Sequence, residues 1–207
     1  MANHAYVTHC KKPITFEKVR ELTRKFWSET LKEAFEFVIT CGYTDKDILL
    51  VLDDYNGLHL WVSEYVDEWE WDEDEPKHTI PSIEFRHGHS SGLMWWADLE
   101  LENYLARELE GQVIDDSDGI PNDPRPPMTL GQYLKEYPGF DDWVQEQLDK
   151  FPQVKVLLDE AGAGHWEYKG MDGKWHRCVD PHYDPVTDLS LSCEEVGETP
   201  EHRYVRD

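Results

Sequence analysis

Apolar residues recur at helical spacing from Phe16 through Val19, Leu22 and Phe26 to Trp27, just after Pro13 and Thr15. That periodicity predicts an amphipathic helix with Thr15 as its N-cap, because a threonine hydroxyl can satisfy an amide of the first turn. Upstream, AYVTHC at 5–10 has the content of a first strand. Downstream, LKEAFEFVITCG keeps helical spacing as far as Val38, but its aromatic and β-branched residues favour a strand at about 35–41. DILLVL and LHLWVSEYV flank DDYNG and predict a β-hairpin, with Asn56-Gly57 expected to supply the positive φ values of a tight turn.

Past Val66 the second hairpin strand continues outward into an acidic stretch, and Pro76 and Pro81 bracket a break before SIEFRH resumes as a strand. The small residues of HGHSSG lead into a helix from about Leu93 to Glu110. Its apolar stripe is Trp95, Trp96, Leu99, Leu105 and Leu109, and Gly111 is placed to cap it. DDSDGIPNDPRPPM reads as a linker or a long functional loop. Thr129 and Gln132 then have capping-box spacing for a short helix ended by Pro138-Gly139, and DDWVQEQLDKF begins another. HWEYK and KWHRCV form a second hairpin around GMDG. From Asp180 the chain is rich in Pro and Asp, and its last fifteen residues are expected to be poorly ordered. The order of elements implies an α+β fold: an antiparallel sheet of hairpins and meanders packed by two or more helices, with an appended C-terminal helical and hairpin unit. The expected divisions are an α+β core over 1–115, a loop or linker over 116–128, and an extension over 129–207, in the same domain or a second one.

Charge changes this picture most. Forty-four acids against twenty bases leave a net −24, spread along the whole chain. Such a field repels nucleic acid and anionic membranes and attracts basic surfaces. Direct DNA or RNA binding is disfavoured, because phosphate contacts need clustered Lys and Arg, and the sequence offers only short pairs such as Lys11-Lys12. The N-terminus lacks the apolar core of a secretory signal. The four cysteines lie far apart without a C-x-x-C pair, which suits a reducing compartment, so a cytoplasmic location is expected.

The acid density peaks in 66-VDEWEWDEDEP-76, with seven carboxylates and two tryptophans. If this stretch is extended, Glu68, Glu70, Asp72 and Asp74 share one face and Trp69 and Trp71 the other. Same-face neighbours would then be about 6.7 Å apart, close to the phosphate spacing of a nucleic-acid strand. A carboxylate ladder of this kind can imitate a phosphate backbone while the tryptophans anchor an Arg-rich partner. Otherwise the stretch is a solvated loop whose tryptophans tuck into the protein. A second acidic cluster, Asp115, Asp116 and Asp118, ends in Gly119. It fails the calcium-loop pattern, since Ile114 occupies the first ligand position and Arg125 the twelfth.

Metal and catalytic patterns are thin. His87 and His89 are two apart, with Asp98 or Glu100 as further ligands, and Arg86 beside them makes a basic spot suited to partner contact. In the C-terminal hairpin, His176 and Cys178 share a strand face and His165 is expected opposite them. No nucleophile elbow, phosphate loop or zinc-protease pattern occurs, and no cofactor is implied. The sequence therefore points to a non-enzymatic acidic interaction protein. It would bind and inhibit a basic, nucleic-acid-handling protein by mimicry, as a phage anti-defence inhibitor does. The alternatives are an immunity protein that neutralises a toxic nuclease and a metal-dependent hydrolase.

Overall fold

The first strand of the chain lies in the interior of its sheet. A computed structural model describes residues 3–66, 79–87, 92–115, 119–137, 141–158, 164–170, 172–177 and 202–206. They fall into two units, one drawn from 1–90 and 97–127, the other from 91–96 and 128–207.

The first unit is a seven-stranded antiparallel sheet packed with helices, an α+β architecture. Its strands are β1 (Asn3–Thr8), β2 (Glu36–Thr40), β3 (Asp47–Val51), β4 (Gly57–Val66), β5 (Thr79–His87), β6 (Gln112–Asp115) and β7 (Pro121–Asn122), in the order β2-β3-β4-β5-β1-β6-β7. Helix α1 (Phe16–Glu29) connects interior β1 to edge strand β2, and α2 (Gly92–Leu109) connects β5 to β6 across β1. Both helices are long crossovers because the strands they join are not neighbours.

Alternation makes one sheet face the core. Ala5 and Val7, Ile83 and Phe85, Leu58 and Leu60, Ile48 and Leu50 are all at most 2 % exposed and line up across the strands in register. α1 meets the sheet with Val19, Leu22, Thr23 and Phe26 buried, and its cap forms as the sequence predicts, the Lys18 amide donating to Thr15 Oγ1 at 3.3 Å. Phe26 meets Tyr104 of α2 at 5.4 Å, and Trp27 packs against Phe37 of β2 and donates its indole N–H to the Phe35 carbonyl at 2.6 Å.

Four local expectations change. β1 ends at Thr8 rather than at residue 10, because His9 turns the backbone with φ +51. Neither Asn56 nor Gly57 has positive φ. The hairpin instead closes through residues 52–56, with Asp53 Oδ1 accepting from the Tyr55 and Asn56 amides and the Leu52 amide donating to the Asn56 carbonyl. Glycine at 57 answers a close approach, since a Cβ there would stand 3.2 Å from the Leu50 carbonyl oxygen. Pro81 lies within β5, paired with Glu64 on β4, beyond Val7↔Ile83 where the described β1–β5 register ends. That side of the strand needs no proline amide.

The fourth change is at the end of α2. The left-handed residue is Glu110 (φ +55), while Gly111 donates to the Ala106 carbonyl at 2.8 Å and Glu110 to Arg107 at 3.2 Å. This is the Schellman arrangement with glycine one position later than expected. Gly111 is needed for space: a Cβ would sit 2.4 Å from Cys10 Sγ and 2.6 Å from the Thr8 carbonyl oxygen. In the stretch read as a loop or linker, Pro121 and Asn122 pair with Ile114 and Val113, and the Arg125 amide donates to Asn103 Oδ1 at 2.6 Å.

The second unit holds α3 (Leu130–Glu136), α4 (Asp141–Lys150), a 3-10 turn (Pro152–Leu157) and a three-stranded sheet. Its strands are β8 (Gly164–Lys169), β9 (Trp175–Arg177) and β10 (His202–Arg206), in the order β10-β8-β9. The α3 capping box is complete: the Gln132 amide reaches Thr129 Oγ1 at 3.2 Å, and the Thr129 amide reaches Gln132 Oε1 at 2.9 Å. The β8–β9 hairpin forms as expected. Contrary to expectation, residues near the C-terminus are structured, since β10 pairs along β8 and Arg203 ion-pairs with Glu167 at 2.6 Å.

Candidate interaction surface

The sheet face turned away from the apolar core carries the first unit's concentration of chemistry. Alternation places His4 on β1, Glu84 and Arg86 on β5, His59 and Trp61 on β4 and Asp47 on β3 on that face. Arg86 is the register partner of both His4 and His59, so a cation is flanked by imidazoles on each neighbouring strand.

Asp47 organises the cluster. Its carboxylate is fully buried and accepts from the Tyr43 amide at 2.7 Å, the Thr44 amide at 3.0 Å, Thr44 Oγ1 at 2.6 Å and His59 Nε2 at 2.9 Å. Burial pushes the carboxyl up. Hydrogen bonds from Thr44, Tyr43 and His59 outweigh that and hold it below the ordinary aspartate range. An ionised carboxylate only accepts, so His59 is the donor through Nε2. Gly42 belongs to the same device, because a Cβ there would lie 2.7 Å from Asp47 Oδ2.

Fixing the 41–46 turn in this way poses Tyr43. Its ring stacks on Trp61, with centroids 4.3 Å apart and planes 20° from parallel, and lies 5.2 Å from His59. The Arg86 guanidinium hydrogen-bonds the Tyr43 hydroxyl and lies 5.6 Å from the ring centroid. Trp61 is almost fully buried, whereas Tyr43 is 50 % exposed and Arg86 is exposed, so the cluster presents a tyrosine and an arginine on a rigid base. On the other side of Trp61, His4 Nδ1 bonds Glu84 at 2.9 Å and its ring meets the indole edge-on at 6.4 Å. Tyrosine, tryptophan and arginine held by their neighbours are the residues that anchor protein interfaces.

At the opposite end of the same strand pair, β4 and β5 close at Val66↔Thr79. Seven register positions separate it from His59↔Arg86, about 23 Å along the strands. The chain between Val66 and Thr79 contains seven acids and one lysine, Lys77. In sequence the acidic stretch therefore joins the end of β4 to the start of β5.

The sequence-derived site residues are distributed as follows. Glu68, Trp69, Glu70, Trp71, Asp72, Asp74, Asp116, Asp118, His89 and Cys178 lie outside the described residues. Asp115 ends β6 opposite Ala5, and His87 ends β5 opposite Asn3. Asp98 and Glu100 are buried on α2. His165 does not stand opposite His176: it pairs with Val205 on β10, whereas His176 pairs with Tyr168. The His176 ring instead bonds Asp172 at 3.0 Å, four residues earlier across the hairpin turn. Among the described residues no three His, Cys, Asp or Glu side chains converge in a way that could hold a metal.

Sequence reasoning passed over Tyr43, Asp47, His59 and Trp61. The available signal was the i, i+2 placement of His59 and Trp61 on the polar face of an alternating strand. Nothing in sequence brings Tyr43 onto that face, since its position depends on Asp47 folding the turn. Compared with known protein families and curated proteins, the chain matches none. Among the described residues no helix is long and apolar enough to cross a membrane.

Proposed function

We propose that this is a non-enzymatic interaction protein that occupies the basic surface of a nucleic-acid-handling protein and competes there with nucleic acid. The observation that carries the reading is an excess of twenty-four negative charges combined with cations that are engaged on the protein's own surface. Lys12 pairs with Glu110 at 3.3 Å, Lys18 with Glu21 at 3.2 Å, Lys46 with Glu17 at 3.8 Å and Lys150 with Glu146 at 3.6 Å. Each exposed pair adds little stability and cancels one positive against one negative charge, so the net −24 sets the field that a partner meets. The sequence joining Val66 of β4 to Thr79 of β5 carries seven acids. In this reading they supply charge and the aromatic cluster supplies a fixed contact. An anti-defence inhibitor and an immunity protein would both use this device.

Binding to immobilised full-length protein in cell lysate tests the reading when elution is attempted with double-stranded DNA and with salt. The reading expects a captured protein that DNA displaces and that high ionic strength releases. Captured proteins that are all indifferent to nucleic acid and to salt would contradict it.

A further inference from the structure

The two edges of the seven-stranded sheet are built differently. β7 closes one edge with two residues, and one of them is Pro121, which has no amide hydrogen to offer. Very short strands, prolines, lysines and bulges are the means by which sheet edges avoid pairing with other chains. β2 closes the other edge with five residues, Glu36–Thr40, and has none of these guards. It contains no proline, lysine or arginine, and its register with β3 runs from Glu36↔Val51 to Thr40↔Asp47 without a bulge. In an antiparallel ladder alternate residues turn their N–H and C=O groups away from the paired strand. Among the described residues no strand or loop takes up those groups on the outer side of β2.

We propose that β2 is a strand-addition site for an extended segment of a cationic partner protein. The side chains define what fits. Phe37 and Ile39 are register partners of Leu50 and Ile48, so they continue the apolar core face to the edge. Ile39 is 42 % exposed while Ile48 is 1 % exposed, so among the described residues nothing covers the core face at Ile39. An added strand lays its own apolar side chains beside Phe37 and Ile39, and by alternation turns the residues between them toward the face of Glu36, Val38 and Thr40. Glu36, exposed, is the only charged residue in β2, and it favours a lysine or arginine there. The Arg24 guanidinium already lies 4.7 Å from the Phe37 ring centroid, so this face takes apolar rather than cationic side chains from an added strand. A second copy of this chain would bring a further −24 to the contact, so whole-molecule charge selects a cationic strand over self-pairing. The cationic half of the proposal rests on the proposed function; the open edge does not.

The test adds a peptide of about ten residues alternating Lys with Val to the full-length protein and follows amide hydrogen exchange at residues 36–40. Alternate β2 amides are expected to slow about tenfold or more, because only an ordered hydrogen bond gives such protection. A peptide of the same charge with alternate amides N-methylated is expected to give none. Binding of the Lys–Val peptide without protection in β2 overturns the edge proposal and leaves the acidic-surface reading standing. Equal protection by a Glu–Val peptide overturns the cationic assignment. Absence of any binding of the Lys–Val peptide overturns both. A concentration-dependent dimer that Ile39→Lys returns to monomer, with sedimentation as the readout, would assign the edge to a second copy instead.

Discussion

Four donors converge on the Asp47 carboxylate, and its substitution has consequences that differ from those of an ordinary surface acid. Asp47→Ala leaves the Tyr43 and Thr44 amides without their acceptor and frees the His59 ring, at an expected cost of about 2 kcal/mol in urea unfolding. The pH dependence follows from the lowered carboxyl. Asp47's stabilising contribution is complete above its unfolded value of 3.8 and is lost as pH falls through the lower folded value. The stability difference between wild type and Asp47→Asn should therefore be constant at neutral pH and shrink only below that value. A difference that faded at a pH well above that value would mean that the Asp47 carboxylate does not govern the cluster. Tyr43→Ala should cost about 1 kcal/mol for the lost stacking and alter the fluorescence of Trp61. A sequence reader could place His59 and Trp61 on one polar strand face. The buried carboxylate that brings a loop tyrosine over them is a tertiary contact, and no periodicity records it.

At the scale of elements, local chemistry and tertiary space compete, and each prevails at different places. Thr129 and Gln132 form their box because both partners are three residues apart on one backbone, so Thr129→Ala should cost about 1 kcal/mol by thermal unfolding. The positions of the helices, the main hairpin and the β8–β9 hairpin were legible in the same way, but the stripe on α2 was not, since Trp95 is 39 % exposed while Met94 and Leu101 are buried. Glycines were misread where their role is spatial. Gly57 and Gly111 look like turn and cap residues, but Gly57 stands tight against the Leu50 carbonyl and Gly111 against the Thr8 carbonyl, where a side chain has no room. Two substitutions at the end of α2 separate the roles. Gly111→Ala should destabilise by at least about 2 kcal/mol, because a methyl group meets backbone. Glu110→Gly should stabilise by about 1 kcal/mol by relieving a left-handed residue, the exposed pair with Lys12 offsetting little of it. Equal and opposite behaviour, with Gly111→Ala neutral and Glu110→Gly damaging, would show that Gly111 is the cap after all. β10 was illegible for a different reason: it is a five-residue strand after a Pro- and Asp-rich stretch, stabilised by its pairing with β8.

For the whole molecule, charge is the governing quantity. A net −24 opposes the folded state by self-repulsion, so added sodium chloride should raise the melting temperature as it screens the field. A protein stabilised mainly by its exposed ion pairs would respond in the opposite direction. The same excess is what a cationic partner would relieve, and it is densest between the paired residues Val66 and Thr79. The most direct test of the account replaces Glu68, Glu70, Asp72 and Asp74 with Ser and measures affinity for a DNA-displaceable partner across a salt series. The account predicts an affinity at least about tenfold weaker at low salt and a shallower dependence on ionic strength, because fewer charges act across the contact. Unchanged affinity with an unchanged salt dependence would contradict it.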